Sequence, residues 1–123
     1  MADTAITPQL HGDNLATWDN IAGYWDQILG NGNDMYHECL LPTVRELGDP
    51  QAGERILDLG TGSGVIAAML TASGAHVTAV DGSKSMLAKA ESRANEAGLA
   101  MTFEVVNLLD NDSLNAFIQR HSK

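Results

Sequence analysis

Positive charge is scarce in this chain. Seven Lys and Arg residues stand against sixteen Asp and Glu, a formal net charge of −9 at pH 7. The seven are scattered singly, with no basic cluster. A polyanionic partner is repelled by such a surface, which argues against both nucleic acid and a membrane. Cysteine is nearly absent as well. Cys39 stands alone, so no intrachain disulfide framework exists and the usage fits a reducing compartment. Long hydrophobic runs are missing: the longest, VIAAML at 65–70, falls far short of the ~20 residues of a membrane-spanning helix. The opening MADTAITPQLHGDN has neither a basic segment nor an apolar one, so it does not read as a secretory signal. The expectation is a cytoplasmic protein.

What is present suits one domain. A chain of 123 residues, 44% of them apolar, is long enough to bury its own core. Residues 1–12 are polar, with Pro8 and Gly12, and are expected to form a flexible N-terminus. From Asn14 onward Leu15, Trp18, Ala22, Trp25 and Leu29 recur at steps of three and four, the mark of an amphipathic helix. Gly30, Gly32 and Asn33 end it. A second helix is expected from Asp34 through Leu47, with Asp34 as its N-cap and Gly48 just past its end. Pro42 lies inside that stretch and predicts a kink or break near Leu41. Cys39, beside Leu40 and Leu41, reads as a buried structural thiol. Together these helices form a lead-in over residues 13–48.

The rest, 49–123, alternates. After the turn DPQAG, strands are expected at Arg55–Leu59, His76–Val80 and Met101–Val106. Helices are expected at Val65–Ala72, Ser83–Ala97 and Ser113–Arg120, with Asp112 as a candidate cap of the last. Alternation at this spacing implies a parallel sheet with right-handed crossover helices, the α/β class.

The chemistry concentrates at RILDLGTGSG, residues 55–64, and at Asp81, which ends the run HVTAV. Glycines let a bulky polar ligand approach the backbone where no Cβ intervenes. The turn at Gly60, Gly62 and Gly64 feeds a helix N-terminus, where free N–H groups and partial positive charge favour phosphate or carboxylate alike. A carboxylate at the end of the second strand supplies an acceptor for neighbouring ribose hydroxyls. Two details narrow the ligand. The glycines follow G-x-G-x-G, with Val65 where a dinucleotide fingerprint has Gly or Ala. Asp58 precedes the turn; its carboxylate repels a pyrophosphate and accepts from an ammonium. A ligand with an amino-acid end and an adenosine end fits better than a dinucleotide.

ILDLGTGSGVIAAML followed by VTAVDGSKSMLAKA resembles the first two motifs of the class I S-adenosylmethionine-dependent methyltransferases. The resemblance covers roughly residues 15 to 120. It implies a Rossmann-like parallel sheet with crossover helices, truncated here after about three strands and preceded by the two N-terminal helices. It also implies site residues. Asp58, Gly60, Thr61, Gly62 and Gly64 would surround the methionine part of S-adenosyl-L-methionine, and Asp81 would hold the ribose hydroxyls. Gly82, Ser83 and Met86 would lie near the adenine. The acidic residue that usually accepts from the adenine amino group falls on Asn107, with Leu108 beside it; Asp110 is a second candidate, against its simpler reading as a solvated loop acid. The stripe of Trp18, Tyr24 and Trp25 reads first as core packing, while in relatives such helices lie across the cofactor pocket. His11, His37 and His76 have no partner that marks them as catalytic, and no metal-ligand spacing is present.

In the family fold a fourth strand begins about where this sequence reaches HSK. Its absence leaves the first strand as an edge that invites pairing. In order of expectation, the chain is a fragment of a longer one, a homodimer joining two half-sheets, or a natural half completed by a separate protein. The expected function is therefore the S-adenosylmethionine-binding half of a small-molecule methyltransferase, inactive or weakly active alone, with its catalytic residues unassigned. The alternatives are a non-catalytic interaction module completing its sheet with a partner chain, and a fragment of an NAD-dependent oxidoreductase, against which Val65 and Asp58 argue.

Overall fold

The computed structural model describes residues 8–122. Two helical stretches lead in: α1 (Pro8–Leu29), then a π-helical turn (Tyr36–Leu40) running into α2 (Leu41–Gly48). Then follow β1 (Arg55–Leu59), α3 (Val65–Ala72), β2 (His76–Asp81), α4 (Lys84–Glu96), β3 (Thr102–Val105) and α5 (Asn111–His121). The strands form one parallel sheet in the order β1-β2-β3. Leu57 pairs with Thr78 and Asp58 with Ala79 on one side of β2; Val80 pairs with Glu104 and Asp81 with Val105 on the other. This is the expected α/β architecture, a three-stranded portion of a Rossmann-like sheet.

Side chains alternate across a strand, so β2 feeds two cores. Val77 and Ala79 join Ala67, Leu70 and Ala75 on the side of α3, with Val44, Ile56 and Phe103 packed against them. Val80 faces the other way and joins Val106 and Phe117 of α5. Among the helices, α1 packs most extensively on α4. Alanines make that approach close: Ala22 on α1 and Ala90 and Ala94 on α4 are all buried.

Local details depart from the sequence reading. Of the residues expected to be flexible, 1–7 lie outside the described residues, and 8–12 form the start of α1. The helical stretch after Gly32 is capped by Asn33, whose Oδ1 accepts the Tyr36 N–H at 3.1 Å, one residue before the expected Asp34. The break at Pro42 takes the form of the π-helical turn: the Leu41 N–H reaches back to the Tyr36 carbonyl, and Pro42 itself has no N–H to place. Cys39 is exposed, not buried, because the wider turn rotates the face that a regular helical period assigns to it. At the end of α2, Asp49 rather than Gly48 takes the left-handed conformation, at φ 41°. Pro50 follows it and disfavours a helical Asp49, and Asp tolerates this region better than most residues. On α5 the N-cap is Asp110, which accepts from the Ser113 N–H at 2.9 Å; Asp112 lies inside the first turn.

Candidate functional site

At the carboxyl ends of β1 and β2 the chain leaves a cavity of about 340 Å³. This is where open α/β sheets hold ligands, and the volume lies within the ~300–1,000 Å³ of small-molecule sites. Its floor is Asp58, Gly60, Thr61, Gly62 and Ser63; Asp81 and Met86 form one wall, and Trp18, Trp25 and Tyr36 form the other. A larger hollow, about 500 Å³, runs along Arg55, His76 and Thr102. These residues start the three strands, so it opens at the end opposite the glycine turn.

Two carboxylates share the first cavity. Asp81 sits at the end of β2 with both oxygens engaged by backbone: Oδ2 accepts the Gly62 N–H and Oδ1 the Ser83 N–H, each at 2.9 Å. Each oxygen keeps further acceptor capacity. Asp58 is half-buried at the end of β1 and accepts the Thr61 hydroxyl at 2.8 Å. Burial pushes its carboxyl above the ordinary range, the Thr61 hydrogen bond opposes that, and the charge of Asp81 adds to the rise. Among the described residues neither carboxylate has a salt-bridge partner. The pair is thus prepared for a ligand that brings a cation and hydroxyl donors.

The glycines divide by role. Gly60, at φ +69°, has open space where a Cβ would stand, so its surface is free for a ligand. A Cβ on Gly62 would lie 3.3 Å from Met86 Cε, on the cavity wall. Gly64 is different: a Cβ there would meet Ala90 Cβ at 2.8 Å, so this glycine serves the packing of the turn on α4. A Cβ on Gly82 would come within 2.5 Å of Leu15 Cδ2, which makes it the seat of α1.

Of the residues expected at the site, the structure brings Asp58, Gly60, Thr61, Gly62, Asp81 and Met86 onto one cavity; Gly64, Gly82, Ser83, Asn107 and Leu108 do not line it. Ser83 is fully buried and caps α4, accepting the Met86 N–H at 3.2 Å and donating to Asp19 Oδ1 at 2.5 Å. Asn107 stands just beyond β3, where the Val106 N–H bonds the Asp81 carbonyl, and its Oδ1 accepts the Leu109 N–H at 3.1 Å. Asp110 is occupied as the α5 cap. His37 and His76 are exposed and off the cavity wall; the side chain of His11 lies outside the described residues.

Trp18 and Trp25 meet edge to face, ring centroids 5.9 Å apart, and line the cavity while remaining 37% and 36% exposed. They are therefore cavity wall more than core. Tyr36 was not expected there. A signal for the wall was present in the sequence: Trp-Asp occurs at 18–19 and again seven residues on at 25–26, a spacing that repeats one helix face. Among the described residues no group of acidic, His or Cys side chains is arranged to hold a metal ion, and no helix is long and apolar enough to cross a membrane.

A family model described as a methyltransferase domain matches residues 56–118. Over 79 residues the chain is 43% identical to the demethylmenaquinone methyltransferase of Clavibacter sepedonicus, covering 62% of this chain and 31% of that protein. Over 104 residues it is 30% identical to the ubiquinone biosynthesis O-methyltransferase of Vibrio campbellii, covering 83% of this chain and 44% of that protein. The chain thus spans less than half the length of these curated relatives. The crystal structure of the cyclase SpnF superposes with a TM-score of 0.64 at 24% identity, over 74% of this chain and 40% of that one, a likeness of fold.

Proposed function

The chain belongs to the methyltransferase domain family, and from that membership we propose that the cavity under α1 holds S-adenosylmethionine for transfer of its methyl group to a small-molecule acceptor. The observation that carries the reading is the Asp58–Asp81 pair on one cavity, unpartnered by any cation among the described residues. The donor set fits the cofactor at both ends. Asp81 keeps acceptor capacity for two ribose hydroxyls, and Asp58 is a carboxylate waiting for an ammonium. Gly60, Thr61 and Gly62 form the floor for the amino-acid part, and Met86 is the apolar wall for the adenine. Asn107 and Leu108 follow Val105, the β3 partner of Asp81, and would meet the adenine edge beyond the cavity wall. Gly64, Gly82 and Ser83 act through packing and capping.

Bound there, the cofactor supplies a methyl group activated by the adjoining sulfonium. The chain's own part is to bind and orient. Gly62 and Ser83 fix Asp81 from two sides, so the ribose acceptor is set before the ligand arrives. Trp18 and Trp25 narrow the opening and exclude water. Besides the two carboxylates, only Tyr36 on this wall carries an acid or base among the described residues. This half contributes positioning, which lowers the barrier of a direct displacement by holding the partners in line.

We also propose that the free edge of β1 pairs with a further strand, which completes the acceptor side; without it the chain is inactive or weakly active. Among the described residues β1 pairs with β2 alone, and an unpaired edge is a template for a further strand; Leu57 and Leu59 beside it are 47% and 56% exposed. Light scattering of the purified chain that gives the monomer mass at all concentrations opposes pairing with a second copy.

Calorimetric titration with S-adenosylhomocysteine and, separately, with NAD tests the cofactor reading. Saturable binding of S-adenosylhomocysteine is expected. Binding of NAD alone overturns the reading, and binding of neither favours an interaction module.

A further inference from the structure

We propose that Arg93 is a positioning residue that locks α1 onto the glycine turn and so holds the aromatic wall of the cavity in place. The inference rests on the cofactor reading of that cavity. Arg93 lies near the end of α4, outside the cavity wall, yet every donor of its guanidinium is used. Nε donates to Asn31 Oδ1 at 3.1 Å. Nη1 donates to Asp26 Oδ1 at 2.9 Å and to the Ser63 carbonyl at 3.1 Å. Nη2 donates to Asp26 Oδ1 at 2.9 Å and to the Gly30 carbonyl. A guanidinium has five N–H groups in a fixed fork, so none is left for solvent.

The acceptors come from three separate segments: Asp26 on α1, Gly30 and Asn31 in the turn that ends it, and Ser63 in the glycine turn. One rigid group therefore fixes the distance between the helix and the ligand's floor. The side chain is 12% exposed, which shields these bonds from water and makes them stronger than surface pairs. At the other end of α4, Asp19 completes the clamp. Its Oδ1 accepts the Ser83 hydroxyl at 2.5 Å and the Ser85 N–H at 3.2 Å, and the Ser83 bond above all holds its carboxyl below the ordinary range. Each clamp residue follows a tryptophan, Trp18 before Asp19 and Trp25 before Asp26. The Asp side chains thus hold α1 to the two ends of α4, and the preceding Trp rings are turned to the cavity.

Lysine cannot replace this group in full, because it offers three donors and no fork. The full chain is compared with Arg93→Met, Arg93→Lys and Arg120→Met, an arginine of α5 that pairs with Glu104 away from the cavity. Two quantities are measured well below each unfolding temperature: affinity for S-adenosylhomocysteine by calorimetry, and tryptophan emission without ligand. Arg93→Met is expected to weaken binding at least tenfold and to shift emission to longer wavelength, with Arg93→Lys between it and wild type. Arg120→Met keeps wild-type values. Folded Arg93→Met with wild-type affinity overturns the proposal, as does equal weakening by Arg120→Met. If Arg93→Met fails to fold, Asp26→Asn is measured by the same criteria, and unchanged affinity and emission overturn the lock. If wild type itself binds no S-adenosylhomocysteine, the cofactor reading fails; the emission of the ligand-free variants then decides the lock alone, and no shift overturns it.

Discussion

The carboxylate of Asp81 accepts the amide N–H of Gly62 at 2.9 Å across nineteen residues of sequence. The end of β2 and the middle of the glycine turn are thereby one rigid unit, with the proposed ribose acceptor built into the fold. Asp81→Asn removes the charge that both the Gly62 and Ser83 amides point at and puts an NH₂ against one of them. Hydrogen bonds to charged groups contribute roughly 1.5–3 kcal/mol each, so stability falls along with binding. Calorimetry should show affinity for S-adenosylhomocysteine down by at least about tenfold, equivalent to ~1.4 kcal/mol, and thermal melts a lower Tm. Unchanged melting would mean that the turn does not depend on Asp81.

Gly64 is held by packing as well as by conformation. It stands at φ +80°, and a Cβ would meet Ala90 Cβ at 2.8 Å and Ala90 Cα at 3.2 Å. Backbone atoms cannot step aside, so Gly64→Ala combines left-handed strain with overpacking, each costing roughly 1–3 kcal/mol. Gly98, at φ +67° with nothing within 4 Å, carries the strain alone. Urea unfolding should therefore place Gly64→Ala below Gly98→Ala by at least about 1 kcal/mol.

The cap of α5 distinguishes two neighbouring acids. Asp110 accepts the Ser113 N–H at 2.9 Å, whereas the Asp112 side chain accepts no hydrogen bond among the described residues. Asp110→Ala is expected to lower stability by about 1 kcal/mol, the usual cost of losing an N-cap, and Asp112→Ala by much less. Equal effects in a denaturation series would return the cap to Asp112.

The helix Val65–Ala72 and the strand Arg55–Leu59 were legible because their signals are local: apolar period, flanking glycines and a carboxylate at the strand end. The cavity floor was legible for the same reason, since Gly60, Thr61 and Gly62 adjoin Asp58 in sequence. What stayed hidden depends on neighbours distant in the chain. Gly64 reads as a ligand glycine until Ala90 is seen 2.8 Å from its would-be Cβ, and Ser83 until its hydroxyl is found donating to Asp19. Cys39 reads as buried from a regular helical period, whereas the π-helical turn changes the face it occupies and leaves it exposed. Arg93 gave no local signal at all, because its four acceptors lie on segments more than sixty positions upstream or in the glycine turn.

Asp58 links stability and binding with opposite signs. Its folded carboxyl titrates above the ordinary value, chiefly because burial penalises the charge. The folded state therefore holds this proton more tightly than the unfolded state, and stability declines as pH rises through the window from the ordinary value, 3.8, to the raised one. At neutral pH an ionised Asp58 is a net cost to the ligand-free fold. Asp58→Asn keeps an acceptor for the Thr61 hydroxyl and removes the buried charge, so its Tm at pH 7 should exceed that of wild type. An ammonium needs the ionised form, however. The same variant should bind S-adenosylhomocysteine about tenfold to a hundredfold more weakly, the loss of one charged hydrogen bond of ~1.5–3 kcal/mol. In wild type, affinity should fall as pH drops through the raised titration of Asp58, with proton release on binding in that range; in Asp58→Asn this dependence should be absent. Calorimetry in buffers of different ionisation enthalpy measures the proton count directly. A wild-type pH profile that persists unchanged in the variant would assign the titration to another group and remove Asp58 from the ammonium site.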